Sequence, residues 1–152
     1  MPSQVRVAAP DDAGAVGRLL HAFNTEYDDP TPGEAALAER VLQLMGSDFV
    51  VLLAGPGPDG LAVLRFRPSI WSQALECYLA ELYVTPERRG HGLGRALMEE
   101  AISLAREKGA DWMDLGTSEN DVAARGLYES LGFRNREQGP DGPIAYVYER
   151  EL

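Results

Sequence analysis

The stretch ELYVTPERRGHGLGRALMEEAISLAR, residues 81–106, predicts a strand, a glycine-rich turn and a helix in direct succession. Tyr83 and Val84 have the aromatic and β-branched character of a strand, and Pro86 ends that strand because proline has no N–H for a ladder. Gly109 is predicted to end the helix. The helix itself is predicted from an apolar stripe at helical spacing, formed by Leu93, Leu97, Ala101 and Leu104.

The turn within this stretch has the features of an anion site. Gly90, Gly92 and Gly94 follow one another at a spacing of two residues. A glycine-rich turn that leads into a helix presents unpaired N–H groups, and the helix dipole adds positive potential there. Basic side chains surround the glycines in a chain whose formal net charge is −10, namely Arg88, Arg89, His91 and Arg95. The expected ligand is a phosphate group.

The spacing of the glycines disfavours two common kinds of phosphate-containing ligand. Arg95 stands where the last glycine of G-x-G-x-x-G would be, and the chain contains no G-x-x-x-x-G-K-[ST] motif. The sequence therefore disfavours both a nicotinamide cofactor and a nucleotide that is held by a P-loop.

The composition predicts one globular domain spanning residues 1–152. Hydrophobic residues make up 45% and charged residues 25% of the chain, which is ordinary for a folded domain that can bury a core. No apolar run approaches the roughly 20 residues of a membrane-spanning helix. The first residues, MPSQVRV, lack a signal-peptide core. We therefore expect a cytoplasmic protein with no membrane partner.

The net charge and the few cysteine and histidine residues limit the possible partners. An acidic chain disfavours nucleic-acid binding, which needs a basic surface, and favours cationic partners. Cys77 is the single cysteine, so no internal disulfide is possible, and it is expected to be a buried apolar residue. His21 and His91 are too few and too far apart for a metal site, so no metal is expected.

The whole chain predicts the order β-α-α-β-β-β-α-β-α-β-β, a mixed α/β domain with a largely antiparallel central sheet. Asp11 is the expected N-cap of the first helix. Strands are predicted at 5–8, 49–54, 61–66, 75–84, 111–116, 133–136 and 143–149. Helices are predicted at 14–24, 34–45, 93–108 and 120–131.

Two motifs in this order resemble the GCN5-related N-acetyltransferase (GNAT) family. Arg89, Gly92 and Gly94 match the R-x-x-G-x-G pattern of the family's coenzyme A pyrophosphate loop. The segment NDVAARGLYESLGF is similar to the family signature N-x-x-A-x-x-L-Y-E-x-x-G-F through Asn120, Ala123, Leu127, Tyr128, Glu129, Gly132 and Phe133. The predicted order of elements is also that of the family, whose central sheet is splayed. The resemblance implies an N-acetyltransferase that uses acetyl-CoA.

The resemblance also implies where coenzyme A is held. The turn around Arg89 would grip the pyrophosphate mainly through main-chain N–H groups, while Leu82 and Val84 would pair with the pantetheine arm through their main chain. Asn120 would contact the same arm or, alternatively, cap its helix. The implied cofactor-binding residues are Leu82, Tyr83, Val84, Arg89, Gly90, His91, Gly92, Leu93, Gly94, Arg95, Asn120, Ala123 and Tyr128.

Acetyl transfer to an amine needs a general base, because the amine must lose a proton before it attacks. For an amine of pKa near 10.4, this costs roughly 3.4 pK units at pH 7, or about 4.6 kcal/mol. Glu81 is the base that the family resemblance implies, often acting through water, and the alternative is a surface carboxylate on a sheet edge. Glu76 is the second candidate. It would face the opposite side of a regular strand, although a one-residue bulge would reverse this.

Tyr128 is the implied acid for the departing thiolate, and its alternative role is that of a core tyrosine. A thiol of pKa around 8.5 is already a tolerable leaving group, so this help should be modest. Glu81 and Tyr128 are therefore the two predicted catalytic residues.

The acceptor side is predicted from the segment NTEYDDPTPG and from aromatic residues elsewhere. The carboxylates of this segment form either a solvated loop or an acceptor-site loop that attracts ammonium groups. Trp71 either packs under the sheet or lines the acceptor cleft. Tyr146 and Tyr148 point the same way on the last strand and either form a wall of the acceptor site or pack. The predicted substrate-binding residues are Glu26, Tyr27, Asp28, Asp29, Trp71, Glu81 and Tyr146.

These features favour a small cationic amine as the acceptor, similar to the substrates of aminoglycoside N-acetyltransferases in the same family, or a polyamine. An amino acid, a protein N-terminus or a protein lysine fits almost as well. A coenzyme A sensor without turnover and a nucleotide-binding regulatory domain are the alternatives of other classes, and the presence of both Glu81 and Tyr128 argues against the sensor. The sequence leaves the choice between a monomer and a homodimer open.

Overall fold

The structure of the protein is a computed structural model that describes residues 4–152. Its strands are β1 Val5–Val7, β2 Phe49–Ala54, β3 Gly60–Pro68, β4 Leu75–Val84 and β5 Ala110–Leu115. Its helices are α1 Ala13–Glu26, α2 Glu34–Leu44, α3 Leu93–Glu107 and α4 Val122–Ser130. Two short 3₁₀ turns, Pro10–Asp12 and Pro86–Arg88, precede α1 and α3.

The strands form one mixed sheet in the order β1-β2-β3-β4-β5. Strands β1 to β4 pair with one another in antiparallel fashion, and β5 pairs with β4 in parallel. The parallel pair follows from the connection through α3, because parallel neighbours need a crossover rather than a hairpin. The predicted mixed α/β class is confirmed.

The chain forms two compact units, one that runs up to Leu115 and a second, Gly116–Leu152. The first unit contains the sheet with α1, α2 and α3, and the second contains α4. The prediction of a single domain over residues 1–152 stays a prediction.

Helices cover both faces of the sheet in the first unit. On one face, Val16 and Leu19 of α1 and Val41 of α2 form a buried cluster with Val63 and other strand residues. Successive strand residues point to opposite faces. A Cβ on Gly60 would lie 3.3 Å from Leu97 Cδ1 of α3, so α3 covers the second face.

A β-bulge at Ala80 interrupts the pairing of β3 with β4. Val63 pairs with Glu81, whereas the next residue of β3, Leu64, pairs with Leu79. Ala80 therefore has no partner in register, and β4 contains one extra residue at this point.

The bulge places Glu76 and Glu81 on the same side of the sheet. Without it, two residues five positions apart would face opposite sides. Glu81 pairs with Val63, which belongs to the core cluster under α1 and α2, and Glu76 pairs with Arg67, four residues further along β3. Both carboxylates therefore lie on the α1 and α2 side, as predicted for a strand with a bulge.

The sheet opens where the bulge lies. β5 pairs with β4 only from Leu75 to Leu79, although β4 continues to Val84 in register with β3. Residues 80–84 thus belong to no ladder on the side of β5, and the predicted splay of the central sheet is confirmed.

The start of α1 differs from the prediction. The helix begins at Ala13 and has Asp12, not Asp11, as its N-cap residue. The Asp12 carboxylate accepts hydrogen bonds from Arg6 Nη1 at 2.7 Å and from the N–H of Ala9 at 2.8 Å, and these contacts lower the pKa of Asp12 to about 2. The Asp12 side chain therefore accepts from the N–H at the start of the 3₁₀ turn and makes no cap hydrogen bond to α1.

The second unit begins with the capped helix α4. Asp121 is its N-cap, because Asp121 Oδ1 accepts from the N–H of Ala124 at 3.1 Å, so the alternative that Asn120 caps this helix is wrong. Gly132, at φ 92°, follows the helix and ends it as predicted.

The two strands predicted after α4 are wrong. Residues 133–152, all of which the structure describes, carry one isolated antiparallel bridge, between Arg136 and Ile144. Tyr146, Val147 and Tyr148 are each more than 70% exposed, so alternation in this segment does not bury one face. Without a buried face or a neighbouring ladder, the alternating pattern alone does not form a strand.

Within residues 4–152, every helix is too short or too polar to cross a membrane.

Gly17 marks a close contact between α1 and α2. A Cβ at this position would lie 2.6 Å from the carbonyl oxygen of Glu34 and 2.8 Å from the backbone nitrogen of Ala38. Both atoms belong to the backbone of α2, so they can yield only if that helix shifts. The small residue is therefore required by the helix packing.

Gly17→Ala should lower the free energy of unfolding by about 1–3 kcal/mol, the usual cost of overpacking. Gly14→Ala, in the same helix, is the matched control, because nothing lies within 4 Å of its Cβ. The better helix propensity of alanine should leave the stability of this control unchanged or raise it by up to about 1 kcal/mol. Urea unfolding followed by circular dichroism measures both changes, and equal stability of the two variants would contradict the close contact.

Candidate active site

Glu81 lines a cavity between α1, α2 and the sheet. The cavity has a volume of about 190 Å³ and is walled mainly by apolar side chains, among them Leu20, Leu37, Val41 and Phe49. The bulge is the reason that Glu81 reaches it, because the carboxylate would otherwise point to the α3 side. The Glu81 side chain is half-buried there, although residues 80–84 have no ladder partner on the side of β5.

Two arginines line the same cavity, Arg40 from α2 and Arg65 from β3. Arg40 Nη1 donates a hydrogen bond to Gln43 Oε1 at 2.9 Å. The guanidinium carbon of Arg65 lies 5.1 Å from the centroid of the Phe49 ring, in a cation–π contact. Both arginines are exposed residues, and neither is predicted from the sequence, because an arginine on a helix or strand gives no local signal that separates a cavity wall from a solvated surface.

The two candidate bases lie in different environments. Burial raises the pKa of the Glu81 carboxyl, because desolvation disfavours its charged form. Glu76 Oε2 instead accepts from Arg67 Nε at 2.7 Å on the outer part of the same face. Of the two carboxylates, Glu81 is the one that lines the cavity.

The turn before α3 has the geometry of an anion site. Gly90 and Gly92 have φ angles of 80° and 82°, in the left-handed region that favours glycine, and Gly92 is the N-cap of α3. A Cβ on either glycine would meet no atom within 4 Å, so the space in front of both is open. Leu93, Gly94 and Arg95 begin the helix, where N–H groups have no carbonyl partner within the helix. These residues fit a diphosphate group.

The basic side chains around the turn contact acidic or carbonyl groups of the chain. Arg88 Nη1 lies 3.5 Å from Asp59 Oδ2, and Arg95 Nη1 lies 3.9 Å from Glu99 Oε1 one turn along α3. His91 is exposed, with Nδ1 at 3.2 Å from the carbonyl oxygen of Arg88. The main-chain N–H groups are thus the groups best placed to bind an anion.

The Arg89 side chain turns toward the last residue of α1. Arg89 Nη1 and Nη2 lie 2.9 Å from Glu26 Oε2 and Oε1, and Arg89 Nε donates to the carbonyl oxygen of Val84 at 3.0 Å. The Tyr83 hydroxyl donates to Glu26 Oε1 at 2.9 Å, and the Tyr83 ring lies 5.6 Å from the Arg89 guanidinium carbon. These contacts connect the end of β4, the turn and α1.

The protonation states within this cluster are well separated. The Arg89 guanidinium lowers the pKa of Glu26, while burial and the neighbouring Glu26 raise the pKa of Tyr83 to about 12. At neutral pH, Glu26 is ionised and Tyr83 is protonated. Glu26, which the sequence assigns to the acceptor, contacts Arg89 of the glycine turn, and the side chain of Tyr83 is buried in the core.

The other predicted acceptor residues of the first unit lie at the surface. Tyr27 is 52% exposed, and Asp28, with φ 58°, and Asp29 form the turn that follows α1. Trp71 is 91% exposed, so the prediction that it packs under the sheet is wrong. None of these four residues is among the described residues that line the cavity beside Glu81.

The remaining predicted site residues, Asn120, Ala123, Tyr128 and Tyr146, belong to the second unit. Tyr128 is buried in α4, its ring centroid lies 6.0 Å from that of Phe133, and burial raises its pKa to about 12. Asn120 and Ala123 are exposed. Tyr146 is 74% exposed and contacts Tyr148 edge to face, so the alternative that it only packs is not supported.

Cys77 and possible metal ligands are the other groups whose chemistry could matter, and Cys77 does not line the cavity beside Glu81. Cys77 is fully buried, as predicted, and burial raises the pKa of its thiol to about 11. Over residues 4–152, no three His, Cys, Asp or Glu side chains come together in a way that could hold a metal ion.

The fold is that of acetyltransferases. A solved structure of a candidate acetyltransferase from Arthrobacter sp. FB24 matches with a TM-score of 0.88 and 47% identity, over 97% of this chain and 95% of that one. The aminoglycoside acetyltransferase meta-AAC0020, from an uncultured soil metagenomic sample, matches with a TM-score of 0.74 at 16% identity, over 97% and 95% of the two chains. The second match concerns the fold alone.

The sequence comparisons identify the family. The sequence model of the Acetyltransferase (GNAT) family matches residues 18–133, and the chain belongs to this family. The thialysine N-epsilon-acetyltransferase of Sus scrofa is 32% identical over 97% of this chain and 92% of that protein. The aminoglycoside N(6′)-acetyltransferase type 1 of Stenotrophomonas maltophilia is 26% identical over 88% of each. The protein is thus an acetyl-transfer enzyme of a family whose members use acetyl-CoA as cosubstrate.

Glu26→Gln should weaken the binding of coenzyme A about 3- to 10-fold, because the neutral amide holds Arg89, and with it the turn, less firmly. The effect should be modest since the ion pair is partly exposed. Calorimetric titration with coenzyme A measures it. Glu107→Gln, which removes an exposed carboxylate at the end of α3, is the control for the loss of one negative charge. Unchanged or tighter binding in the Glu26 variant would show that this ion pair does not support the turn.

Proposed function

We propose that this enzyme transfers the acetyl group of acetyl-CoA to a primary amine of a small acceptor, which binds in the cavity beside Glu81. The position of Glu81 carries the proposal, since the bulge in β4 turns this carboxylate into the wall of a mainly apolar cavity. The names of the thialysine and aminoglycoside relatives, both of which act on amines, support it.

Glu81 acts as the general base in this proposal. An ammonium group donates its proton to the Glu81 carboxylate, directly or through one water, and the neutral nitrogen then attacks the carbonyl carbon of the thioester. The raised pKa of Glu81 narrows the gap to the pKa of the amine. Proton transfer is therefore less unfavourable than it would be to an ordinary carboxylate.

The main chain of the turn and of β4 holds the cosubstrate. N–H groups between Arg89 and Arg95 bind the diphosphate, and the open space in front of Gly90 and Gly92 supports this assignment. Residues 82–84 lie beyond the end of the ladder with β5, so their main chain can pair with the pantetheine arm. Acetyl-CoA supplies the activated acetyl group as a thioester. Asn120 and Ala123 are assigned to the same arm on the strength of the family signature.

Tyr128 is the proposed acid. The new C–N bond leaves a positive charge on the nitrogen, which loses its second proton to solvent water. As the C–S bond breaks, the sulfur takes up one proton from the Tyr128 hydroxyl. The first proton of the ammonium group resides on Glu81, and solvent then removes it and returns one proton to the Tyr128 oxygen. A pKa of about 12 keeps the Tyr128 hydroxyl protonated at neutral pH, as an acid requires.

A cationic acceptor of the aminoglycoside or polyamine type is the finer form of this proposal that the sequence favours. The aminoglycoside relative and the exposed Asp28 and Asp29 support it. Glu26 supports it less, since its charge is compensated by Arg89. A cytoplasmic location and a monomeric or homodimeric state stay predictions.

Release of free thiol from acetyl-CoA in the presence of different amines tests the proposed activity. The panel contains amino acids, a polyamine, an aminoglycoside and a peptide with a free N-terminus. We expect amine-dependent thiol release, with acetylation of the amine confirmed by mass spectrometry. The enzyme's own thiol is fully buried and should add no background. Thiol release that no amine increases would contradict an N-acetyltransferase.

Glu81→Gln should lower kcat by roughly 10²- to 10⁴-fold at neutral pH, the usual contribution of a general base. The base works only when ionised, so the wild-type rate should rise as the pH increases through the raised pKa of Glu81. The loss in the variant should shrink toward pH 10, where solvent deprotonates the amine. Glu76→Gln, on the same face but paired with Arg67, is the control and should keep the wild-type pH profile. Exchanged results for the two variants would assign the base to Glu76.

A further inference from the structure

The charges that line the cavity beside Glu81 differ from those of the chain as a whole. The chain has a formal net charge of −10, but the charged groups of the described cavity wall are one carboxylate, Glu81, and two guanidinium groups, Arg40 and Arg65. An acceptor in this cavity therefore meets more positive than negative charge. A polycation would gain one favourable contact there and meet two repulsive ones.

The acidic segment after α1 does not change this local balance. Asp28 and Asp29 are exposed on the turn that follows α1, and neither lines the cavity. Glu26 holds Arg89 with two contacts of 2.9 Å. The carboxylates that favour a cationic acceptor in the sequence are thus outside the cavity wall or already neutralised.

The size and the walls of the cavity limit the acceptor further. Its volume of about 190 Å³ is below the roughly 300–1,000 Å³ of pockets that enclose drug-sized ligands. Leu20, Leu37, Val41 and Phe49 give it apolar walls. A compact ligand with an apolar part fits these walls better than an extended, fully hydrated one.

We propose that the acceptor is a small amino-acid-like molecule whose amine faces Glu81 and whose carboxylate pairs with Arg40 and Arg65. This inference rests on the proposed function and names its substrate class. A guanidinium group can bind a carboxylate through two parallel N–H···O bonds, which fixes orientation as well as charge. Arg65 is already positioned by its contact with the Phe49 ring, and Arg40 by its bond to Gln43. The apolar side chain of the acceptor packs against α2.

Pairs of amines that differ only by a carboxylate test this inference. L-Leucine is compared with 3-methylbutylamine, and L-lysine with cadaverine, while spermidine represents polycations. We expect kcat/KM for the carboxylate-bearing member of at least one pair to exceed that of its partner by about tenfold or more. Spermidine should be the poorer substrate. Calorimetric titration of the same compounds into the enzyme without acetyl-CoA gives a second readout that does not depend on turnover.

The arginine variants show whether the preference comes from this cavity. Arg40→Gln and Arg65→Gln should each reduce the ratio of kcat/KM between the paired compounds about tenfold and weaken calorimetric binding of the carboxylate compound, while the rate with its partner amine stays the same. Comparing ratios removes the different intrinsic reactivity of the two amines. Arg106→Gln, which removes an exposed guanidinium in the last turn of α3, should leave the ratio unchanged.

The outcomes separate this inference from the proposed function. A wild-type ratio near one, a preference for spermidine, or a ratio that both arginine variants preserve would overturn the amino-acid-like acceptor and leave N-acetyl transfer standing. Thiol release that no amine increases would overturn the proposed function instead. In that case calorimetry decides the inference: binding of an amino acid that is lost in the arginine variants supports it, and the absence of binding to the wild type rejects it.

Discussion

The extra residue at Ala80 is the constraint on which the candidate site depends. It shifts the alternation of side chains along β4 by one residue, so that Glu81 lines the cavity under α1 and α2. Cys77 and Leu79, which precede the bulge, stay buried. It also coincides with the end of the ladder between β4 and β5 at Leu79. Backbone N–H and C=O groups beyond that point need other partners, since unpaired polar groups are costly when buried. One irregularity therefore coincides both with a carboxylate that lines the cavity and with a stretch of β4 main chain that has no ladder partner on the side of β5.

The cluster of Glu26, Tyr83 and Arg89 connects α1 with the end of β4 and with the glycine turn. The carboxylate at the end of α1 receives the Tyr83 hydroxyl from β4 and the Arg89 guanidinium from the turn, all at 2.9 Å. A helix C-terminus carries partial negative charge, so a carboxylate there is unfavourable unless a cation lies beside it. Arg89 supplies that cation while its main chain continues into the glycine turn. One ion pair thus connects the C-terminal end of α1 to the glycine turn.

The parts of the structure that could be predicted from the sequence are those encoded by local spacing. The strand, the glycine turn and the stripe of α3 lie within 26 consecutive residues, 81–106, and their order needs no tertiary information. The sequence predicts the bulge only as an alternative, because nothing in the strand itself reveals an unpaired residue. Trp71 and the segment 143–149 are exposed for a related reason: their hydrophobic residues become buried only if a neighbouring element covers them. The contact of Glu26 with Arg89, 63 residues away in the chain, has no local signal in the sequence.

The net charge of the chain and the charges of the cavity wall act on a ligand over different distances. A net charge of −10 affects the approach of a charged ligand over distances comparable to the Debye length, about 8 Å at physiological ionic strength, beyond which salt screens it. Arg40 and Arg65 are exposed residues of the cavity wall, so their effect on an acceptor beside Glu81 comes from short distance rather than from a low dielectric. In the proposed complex, Arg40 and Arg65 therefore outweigh many distant carboxylates in their effect on an acceptor beside Glu81. The acidic surface affects solubility and encounter, whereas in this proposal the two guanidinium groups select the acceptor.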